Sequence, residues 1–68
     1  MSPTQRQAGK RIETLRKTRH LSRQELATKA RISREYVRKL EAGRYDPTVG
    51  TLQRIGKALG VLVTELLG

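Results

Sequence analysis

The sequence contains no cysteine, phenylalanine or tryptophan, and it has a single histidine, His20. These absences exclude a disulfide framework, a zinc finger and an iron–sulfur site. The longest apolar run, over residues 60–63, is far short of the roughly 20 residues that a membrane span requires. The N-terminus also lacks the apolar stretch of a signal peptide. We therefore expect a cytoplasmic protein without metal or cofactor, whose core is held together by packing alone.

The chain is short, with 68 residues of which 35% are hydrophobic. This is enough for one compact core, and we expect residues 1–68 to form a single domain. It is too little to enclose a buried enzyme cleft, which usually needs a larger scaffold. The sequence has one aspartate, Asp46, and one histidine, and no motif brings a nucleophile to either. We therefore expect no enzyme activity and no small-molecule substrate.

Positive charge dominates the composition, with 15 lysines and arginines against 6 acidic residues and a net charge of +9. The excess lies within residues 1–44, which hold 13 basic side chains and 4 glutamates, whereas residues 45–68 are neutral. A face that is charged only for solubility usually mixes both signs. A basic surface on one part of a domain instead indicates a polyanionic partner, usually nucleic acid and less often an anionic membrane.

The first helix is predicted by Ser2 and Pro3, since serine is a favoured N-cap and proline a favoured first helical residue. The helix extends to about Thr18, and the apolar residues of its inward stripe are Ala8, Ile12 and Leu15. His20 is expected in the turn that ends the helix, because histidine tolerates a left-handed backbone better than most residues.

A helix-turn-helix unit is predicted next. Ser22 and Glu25 form an S-x-x-E capping box that begins a short second helix ending near Ala30. Shortly after it, Ser33 can cap a third helix over residues 34–42. The residues that face the core and then end this helix are Val37, Leu40 and Gly43. Two short helices joined by a tight turn are typical of this unit.

The last third of the chain predicts two further helices. Thr48 can cap a fourth helix, whose apolar stripe and final glycine are Leu52, Ile55, Leu59 and Gly60. A fifth helix over about residues 64–67 is expected to place Leu66 and Leu67 over the core. The predicted fold is therefore all-α, a compact five-helix bundle in which the second and third helices form the helix-turn-helix.

These positions resemble the helix-turn-helix domain of the phage Cro/repressor family over about residues 9–67. The matching positions are Gly9, Ile12, Leu15-Arg16, Leu21-Ser22, Leu26-Ala27, Leu40-Glu41, Gly43, Asp46-Pro47, Leu59-Gly60-Val61 and Leu66-Leu67. The resemblance implies a lambda-repressor-like bundle that binds operator DNA, usually as a homodimer, and regulates transcription.

Three residues depart from the family pattern. Arg31 stands where the family commonly has the turn glycine, so it adopts a left-handed backbone, at a cost of about 1–2 kcal/mol, or the turn is altered. Leu62 replaces the usual serine or threonine cap of the last helix. Gly56 replaces alanine, and it can let a neighbouring backbone approach closely.

The outer side of the third helix is predicted to read DNA bases. Because its apolar side faces inward, Glu35, Arg38 and Lys39 point the opposite way, and Arg34 lies near the N-terminal end. A recognition helix enters the major groove with its N-terminal residues against base edges. The predicted base contacts are Ser33, Arg34, Glu35, Arg38 and Lys39. The alternative for each is an ordinary charged helix surface.

A second set of residues is predicted to position the protein on the DNA backbone. The start of the second helix favours an anion, because its backbone N–H groups are free. The predicted phosphate contacts are Arg16, Ser22, Arg23, Gln24, Tyr36, Arg44 and Tyr45. Two alternatives stay open: Ser22 can serve only as a cap, and Tyr45 can cover the edge of the core. The resemblance also implies a structural salt bridge between Arg16 and Glu41.

Three apolar residues remain after the helix stripes are assigned, namely Val49, Leu62 and Val63. A self-complementary patch of these residues would place two recognition helices about 34 Å apart, which is one turn of DNA. Alternatively, Val63 merely completes the core. The sequence thus predicts a regulator, in the first place a repressor, that binds a palindromic operator in double-stranded DNA as a homodimer.

Other readings of the sequence compete with this one. Antitoxins and adaptor modules use the same fold mainly for protein–protein interaction. Binding of RNA or single strands is disfavoured, because two tyrosines offer almost no stacking platform. An anionic-membrane helix is disfavoured because the basic residues are spread over several capped helices.

Overall fold

The computed structural model describes the backbone of residues 3–67 and the side chains of residues 7–67. These residues form five helices, namely α1 Pro3–Thr18, α2 Arg23–Ala30, α3 Arg34–Glu41, α4 Val49–Leu59 and α5 Val63–Leu67. The all-α bundle and its helix-turn-helix, α2 and α3, are therefore confirmed. The predicted N-cap, Ser2, lies outside the described residues.

One apolar cluster holds the helices together. It draws residues from all five helices, and its fully buried large side chains are Ile12, Leu26, Val37, Leu40, Ile55, Leu59 and Leu66. Burial of such side chains is the main favourable contribution to folding. α3 is amphipathic: Val37 and Leu40 are buried in this core, and Tyr36 packs against it. The outer side of the helix is thus available for other contacts.

Two local predictions are wrong in detail. α3 ends at Glu41, and Ala42 is its C-cap rather than its last helical residue. Leu67 is 38% exposed, although Leu66 next to it is fully buried. Consecutive residues of a helix point about 100° apart, so the short α5 turns only one leucine of the pair toward the core.

The turn residues after α1 and α2 both have a left-handed backbone, which is the first of the two alternatives considered for Arg31. His20 follows α1 with a φ of 56°, and Arg31 is the C-cap of α2 with a φ of 60°. The backbone N–H of Arg31 donates to carbonyl oxygens in the last turn of α2. The turn that joins α2 to α3 is therefore a regular left-handed cap, formed by an arginine where glycine is less strained.

Close helix contacts fix the position of α3 in the bundle. A Cβ atom on Gly9 of α1 would overlap the carbonyl oxygen of Leu40, so α1 and α3 meet backbone to backbone at this point. A similar contact brings Gly56 of α4 against the carbonyl oxygen of Val61, at 2.8 Å from where a Cβ would lie. The close approach predicted for Gly56 is thus confirmed.

The fifth helix begins without a capping hydroxyl. Leu62 precedes it, and its backbone N–H donates instead to Oε2 of Glu65 at 2.8 Å. This carboxylate satisfies one of the N–H groups that a serine or threonine cap leaves to other partners. α5 therefore keeps half of a capping box despite the leucine.

Candidate nucleic-acid interface

The outer side of α3 is not covered by the rest of the described chain. Arg34, Glu35 and Arg38 are all exposed, whereas Val37 and Leu40 on the opposite side are buried. Ser33 is the N-cap, and its Oγ accepts a hydrogen bond from the backbone N–H of Tyr36 at 3.0 Å. A capped helix anchored by a buried stripe presents its outer side chains on a rigid support.

Glu35 and Arg38 form an ion pair on this exposed side. Nε of Arg38 donates to Oε2 of Glu35 at 3.0 Å, and the second guanidinium nitrogen binds Oε1. The hydrogen bond from Arg38 lowers the pKa of Glu35 below its usual value, and the same bond raises the pKa of Arg38. Both groups are therefore charged at neutral pH. Glu35 holds the guanidinium in one orientation, and Arg34 beside it forms no salt bridge with the described side chains.

A cationic groove runs between the start of α2 and the outer side of α3. Its volume is about 440 Å³ and it is open to solvent. The lining residues are Arg16, Ser22, Arg23, Gln24, Arg34 and Arg38. Four of these six carry a guanidinium group, which matches the geometry of phosphate oxygens better than an ammonium does. Six of the predicted phosphate and base contacts are thus brought together in one place.

The serine at the start of α2 has a structural role that leaves its hydroxyl proton available. Oγ of Ser22 accepts from the backbone N–H of Glu25 at 3.0 Å, and Oε1 of Glu25 accepts from the backbone N–H of Ser22 at 2.8 Å. These bonds lower the pKa of the Glu25 carboxyl. Because a serine hydroxyl is both an acceptor and a donor, capping does not consume its donor function. The two open roles of Ser22 are therefore compatible.

A buried carboxylate links α1, α2 and α3 beneath the groove. The side chain of Glu41 is only 2% exposed, and its Oε2 accepts from Nε of Arg16 at 2.7 Å. Arg16 also donates to the carbonyl oxygen of Leu21 at 2.8 Å. The predicted ion pair is thus present, and its arginine is almost fully buried.

Sequence reasoning missed a third member of this network. Nε of Arg23 donates to Oε1 of Glu41 at 2.9 Å, and its guanidinium lies 3.8 Å from Glu13. Arg23 is half-exposed, so one side of its guanidinium is held by carboxylates while the other faces the groove. The signal available in the sequence was that a buried carboxylate needs partners for both oxygens.

The segment after α3 is held by aromatic contacts. The rings of Tyr36 and Tyr45 stack with centroids 5.2 Å apart. Nζ of Lys39 lies 3.3 Å from the Tyr45 hydroxyl and 5.2 Å from its ring centroid. Lys39 is therefore turned toward this tyrosine and is only half-exposed, whereas Arg44 is exposed. Tyr36 packs against the core and Tyr45 stacks on Tyr36, while Tyr45 itself is 39% exposed.

The residues predicted for self-association differ in exposure. Val49 and Leu62 are 64% and 72% exposed, which is unusual for aliphatic side chains. Val63 is partly buried and packs against the core. Two of the three residues are thus available for an interface, and the third supports the alternative that it completes the core.

The described residues offer neither a membrane span nor a metal site. Within residues 3–67 no helix is long and apolar enough to cross a bilayer. The same part of the chain has no cluster of three or more histidine, cysteine or acidic side chains with the spacing of a metal site.

Comparison with known proteins agrees with the geometry. Residues 12–66 match the model of a protein family described as helix-turn-helix. The immunity repressor protein of Bacillus phage phi105 is 42% identical over 60 residues, which are 88% of this chain and 42% of the repressor. An HTH-type transcriptional regulator of Sinorhizobium fredii, itself uncharacterized, is 37% identical over 87% of this chain and 77% of that protein.

A solved structure shows the same architecture. The restriction-modification controller protein C.AhdI from Aeromonas hydrophila superposes with a TM-score of 0.87 at 28% identity, covering 90% of this chain and 92% of that one. The chain spans less than half of the phage repressor but nearly all of this controller protein. The names of these relatives describe regulators rather than enzymes. The chain belongs to the helix-turn-helix family of the Cro/repressor type.

Proposed function

We propose that this protein is a sequence-specific regulator of transcription that binds double-stranded DNA through α3. The uncovered outer side of α3 beside a groove with four arginines is the observation that carries the proposal. A protruding cationic helix of this kind fits the major groove of B-DNA, which is wide enough to admit a helix. The similarity to a phage immunity repressor favours repression.

Base recognition is assigned to the N-terminal and outer residues of α3. Arg34 and Arg38 can each bind O6 and N7 of a guanine, and Glu35 can accept from N4 of a cytosine. The Glu35–Arg38 ion pair supports a joint role, in which the carboxylate orients the arginine toward its base. Ser33 lies at the start of this surface, and Lys39 reaches a base only if it leaves Tyr45.

Phosphate binding is assigned to the groove and to the segment after α3. Arg23 is the strongest candidate, because Glu41 and Glu13 hold its guanidinium at the groove without covering it. Ser22 and Gln24 add donors at the start of α2, where the helix dipole also favours an anion. On the other side of α3, Tyr36, Arg44 and Tyr45 are assigned to the neighbouring stretch of backbone. Arg16 is assigned a supporting role, since its donors are directed to Glu41 and Leu21.

Dimerisation is assigned to the exposed aliphatic side chains Val49 and Leu62, at the start of α4 and just after its end. A two-fold symmetric contact through these side chains would bring two copies of α3 to successive major grooves, about 34 Å apart. One short recognition helix makes few base contacts, so two half-sites are needed for selective binding. A palindromic operator is the expected target.

Selection of bound sequences from random duplex DNA tests the proposal. Enrichment of an inverted repeat supports both the target and the dimer, whereas an enriched single half-site contradicts the dimer. Failure to bind any duplex at low salt would overturn the whole assignment. Electrostatic contacts are strongest under those conditions, so a lack of binding there is decisive.

Two substitutions then separate base contacts from phosphate contacts. We expect Arg34→Ala to relax the preference at one base position, at a cost of about 1–3 kcal/mol for the preferred site. Arg23→Ala is expected to weaken binding to all duplexes alike. It should also reduce the slope of log affinity against log salt concentration by about one, because one phosphate contact is lost. Lys10→Ala removes a charge from the exposed side of α1 and is the matched control.

A further inference from the structure

A second cationic cleft lies away from the proposed DNA surface. It is an open cavity of about 480 Å³ between the end of α2 and α4, and its lining residues are Lys29, Arg31, Arg54, Lys57 and Ala58. It shares none of these residues with the groove between α2 and α3. The proposed contacts with bases and phosphates therefore leave this cleft unused.

The charge of the cleft is only partly offset by the described part of the chain. Four of its five lining residues are cationic and none is acidic. Glu25 attracts Lys29 from one turn earlier in α2, although its carboxylate is bound to Ser22. The other glutamates of residues 7–67 bind elsewhere: Glu13 and Glu41 to Arg23, Glu35 to Arg38, and Glu65 to the backbone of Leu62. Like charges gathered in one small space repel each other, so such a cluster is favourable only when an anion is bound.

Both arginines of the cleft lie at the end of α2, and the structure fixes the side chain of Arg54 there. Nε of Arg54 donates to the carbonyl oxygen of Ala30 at 3.1 Å, which fixes this side chain against the end of α2. The next residue, Arg31, is the left-handed C-cap of that helix. Guanidinium groups on a fixed support lose less entropy when they bind an oxyanion.

Helix stabilisation explains only part of the cluster. Lys29 and Lys57 lie in the last turns of α2 and α4, where a positive charge favours the helix dipole. This reason does not extend to Arg31, which keeps a side chain at a position where glycine is less strained. Strain that is retained at a cavity of charged side chains points to a binding role.

We propose that this cleft binds a compact anion with several phosphate groups, of the class of inorganic polyphosphates and nucleoside polyphosphates. The cavity volume lies within the range of small-molecule sites. The four cations converge on one cavity rather than forming a strip, which favours a compact anion over an extended acidic peptide. Arginine and lysine together suit phosphate, since arginine binds two oxygens and lysine adds a mobile charge.

The test is a titration of the whole chain with inorganic tripolyphosphate, followed by the backbone amide signals in NMR spectra. We expect the largest shifts at the end of α2 and along the last turns of α4. The double substitution Lys29→Gln with Lys57→Gln should raise the dissociation constant about tenfold, since each charged contact to phosphate is strong. Both lysines are exposed, so the variant retains the fold.

The matched control removes two lysines from α1 by Lys10→Gln with Lys17→Gln. This variant has the same net charge, and its dissociation constant should stay close to that of the unchanged protein. Equal weakening in both variants would overturn the proposal, because it would show attraction by overall charge alone. Shifts centred on Arg23 and Arg34 would also overturn it, since the anion would then occupy the groove.

A second titration with a short duplex distinguishes the source of the phosphate. If the duplex shifts only the amide signals of α3 and the start of α2, the DNA backbone does not occupy the cleft, and this outcome supports a free polyphosphate as its ligand. Shifts at the cleft with duplex but not with tripolyphosphate overturn the proposal, because they assign the cleft to the DNA backbone rather than to a compact anion. No response of the cleft to either anion overturns the proposal. Failure of DNA binding alone does not affect it, because the two surfaces are separate.

Discussion

Residues 1–44 and residues 45–68 differ in charge and in the side chains that they expose. The first part carries the whole excess of +9, and on α3 it exposes Arg34, Glu35 and Arg38. The second part is neutral, and its most exposed large hydrophobic side chains are Val49 and Leu62. The two parts share one apolar core, so the difference lies in their surfaces. A single small bundle can thus offer a polyanion surface and a separate apolar surface.

The two surfaces also differ in how they are supported. Beneath the cationic groove, the buried carboxylate of Glu41 joins Arg16 and Arg23 across three helices. Val49 and Leu62 lie on α4 and just after it, and α4 and α5 are held by packing on the core, with no buried ion pair among the described residues of this part. Cations close together repel each other, so the first surface needs a buried counter-charge that the second does not.

The largest expected effect is therefore at the buried carboxylate. Glu41→Ala leaves Arg16 buried with its main partner removed, and we expect a loss of about 3–5 kcal/mol in the free energy of unfolding, measured by urea denaturation. The control is Glu13→Ala, which removes a partly exposed carboxylate 3.8 Å from Arg23 and should cost less than about 1 kcal/mol. Similar small losses in both variants would contradict the supporting role of Glu41.

The apolar surface is tested by Leu62→Glu. Leu62 is mostly exposed, so the fold of one copy should be unchanged, while a charge in the proposed interface should weaken self-association at least about tenfold. Sedimentation equilibrium measures this, with and without a two-half-site duplex. Gln7→Glu adds a negative charge at an exposed position of α1, away from the proposed interface, and is the control. An unchanged association constant for Leu62→Glu would place the interface elsewhere.

Local rules account for most of the fold that the sequence predicted. Ser22, Ser33 and Thr48 cap helices as expected, since N-caps depend on a few neighbouring residues. The spacing of apolar residues likewise identified the buried side of α3. The error at Leu67 arose where a five-residue helix is too short for periodicity to choose between adjacent leucines.

Contacts between distant segments were not predictable in the same way. The bond between Arg23 and Glu41 joins residues 18 positions apart, and that between Arg54 and Ala30 joins residues 24 positions apart. Neither follows from a helical period, because the packing of α2 against α3 and α4 decides which side chains meet. The stacking of Tyr36 on Tyr45 belongs to the same class. The candidate base contacts could be predicted from the pattern of α3 alone, whereas the second cleft could be recognised only from the packing of α2 against α4.

A smaller effect is expected at the left-handed turn. Arg31→Gly relieves strain at a φ of 60°, and we expect a gain of about 0.5–1 kcal/mol in the free energy of unfolding. The same variant should bind tripolyphosphate more weakly, because it loses a cation of the second cleft. His20→Gly is the control, since His20 has a similar φ but does not line the cleft. It should gain stability without any change in anion binding, and a loss of stability in both variants would contradict the strain.

The smallest expected effect concerns the acid side of the stability profile. The hydrogen bonds from Ser22 lower the pKa of Glu25 in the folded chain below its usual value of 4.5, so the unfolded chain binds its proton first as the pH falls. The contribution of the capping box is complete above that value and is lost as the pH falls through the lowered pKa. Glu25→Gln keeps an acceptor but cannot titrate, so its unfolding midpoint should fall less between about pH 5 and pH 3. Glu35→Gln removes a different exposed carboxylate with a lowered pKa and should leave the capping box intact. If the unchanged protein and Glu25→Gln lose stability in parallel over this range, the ionised carboxylate of Glu25 makes no measurable contribution to stability. The position of α2 would then depend on packing alone.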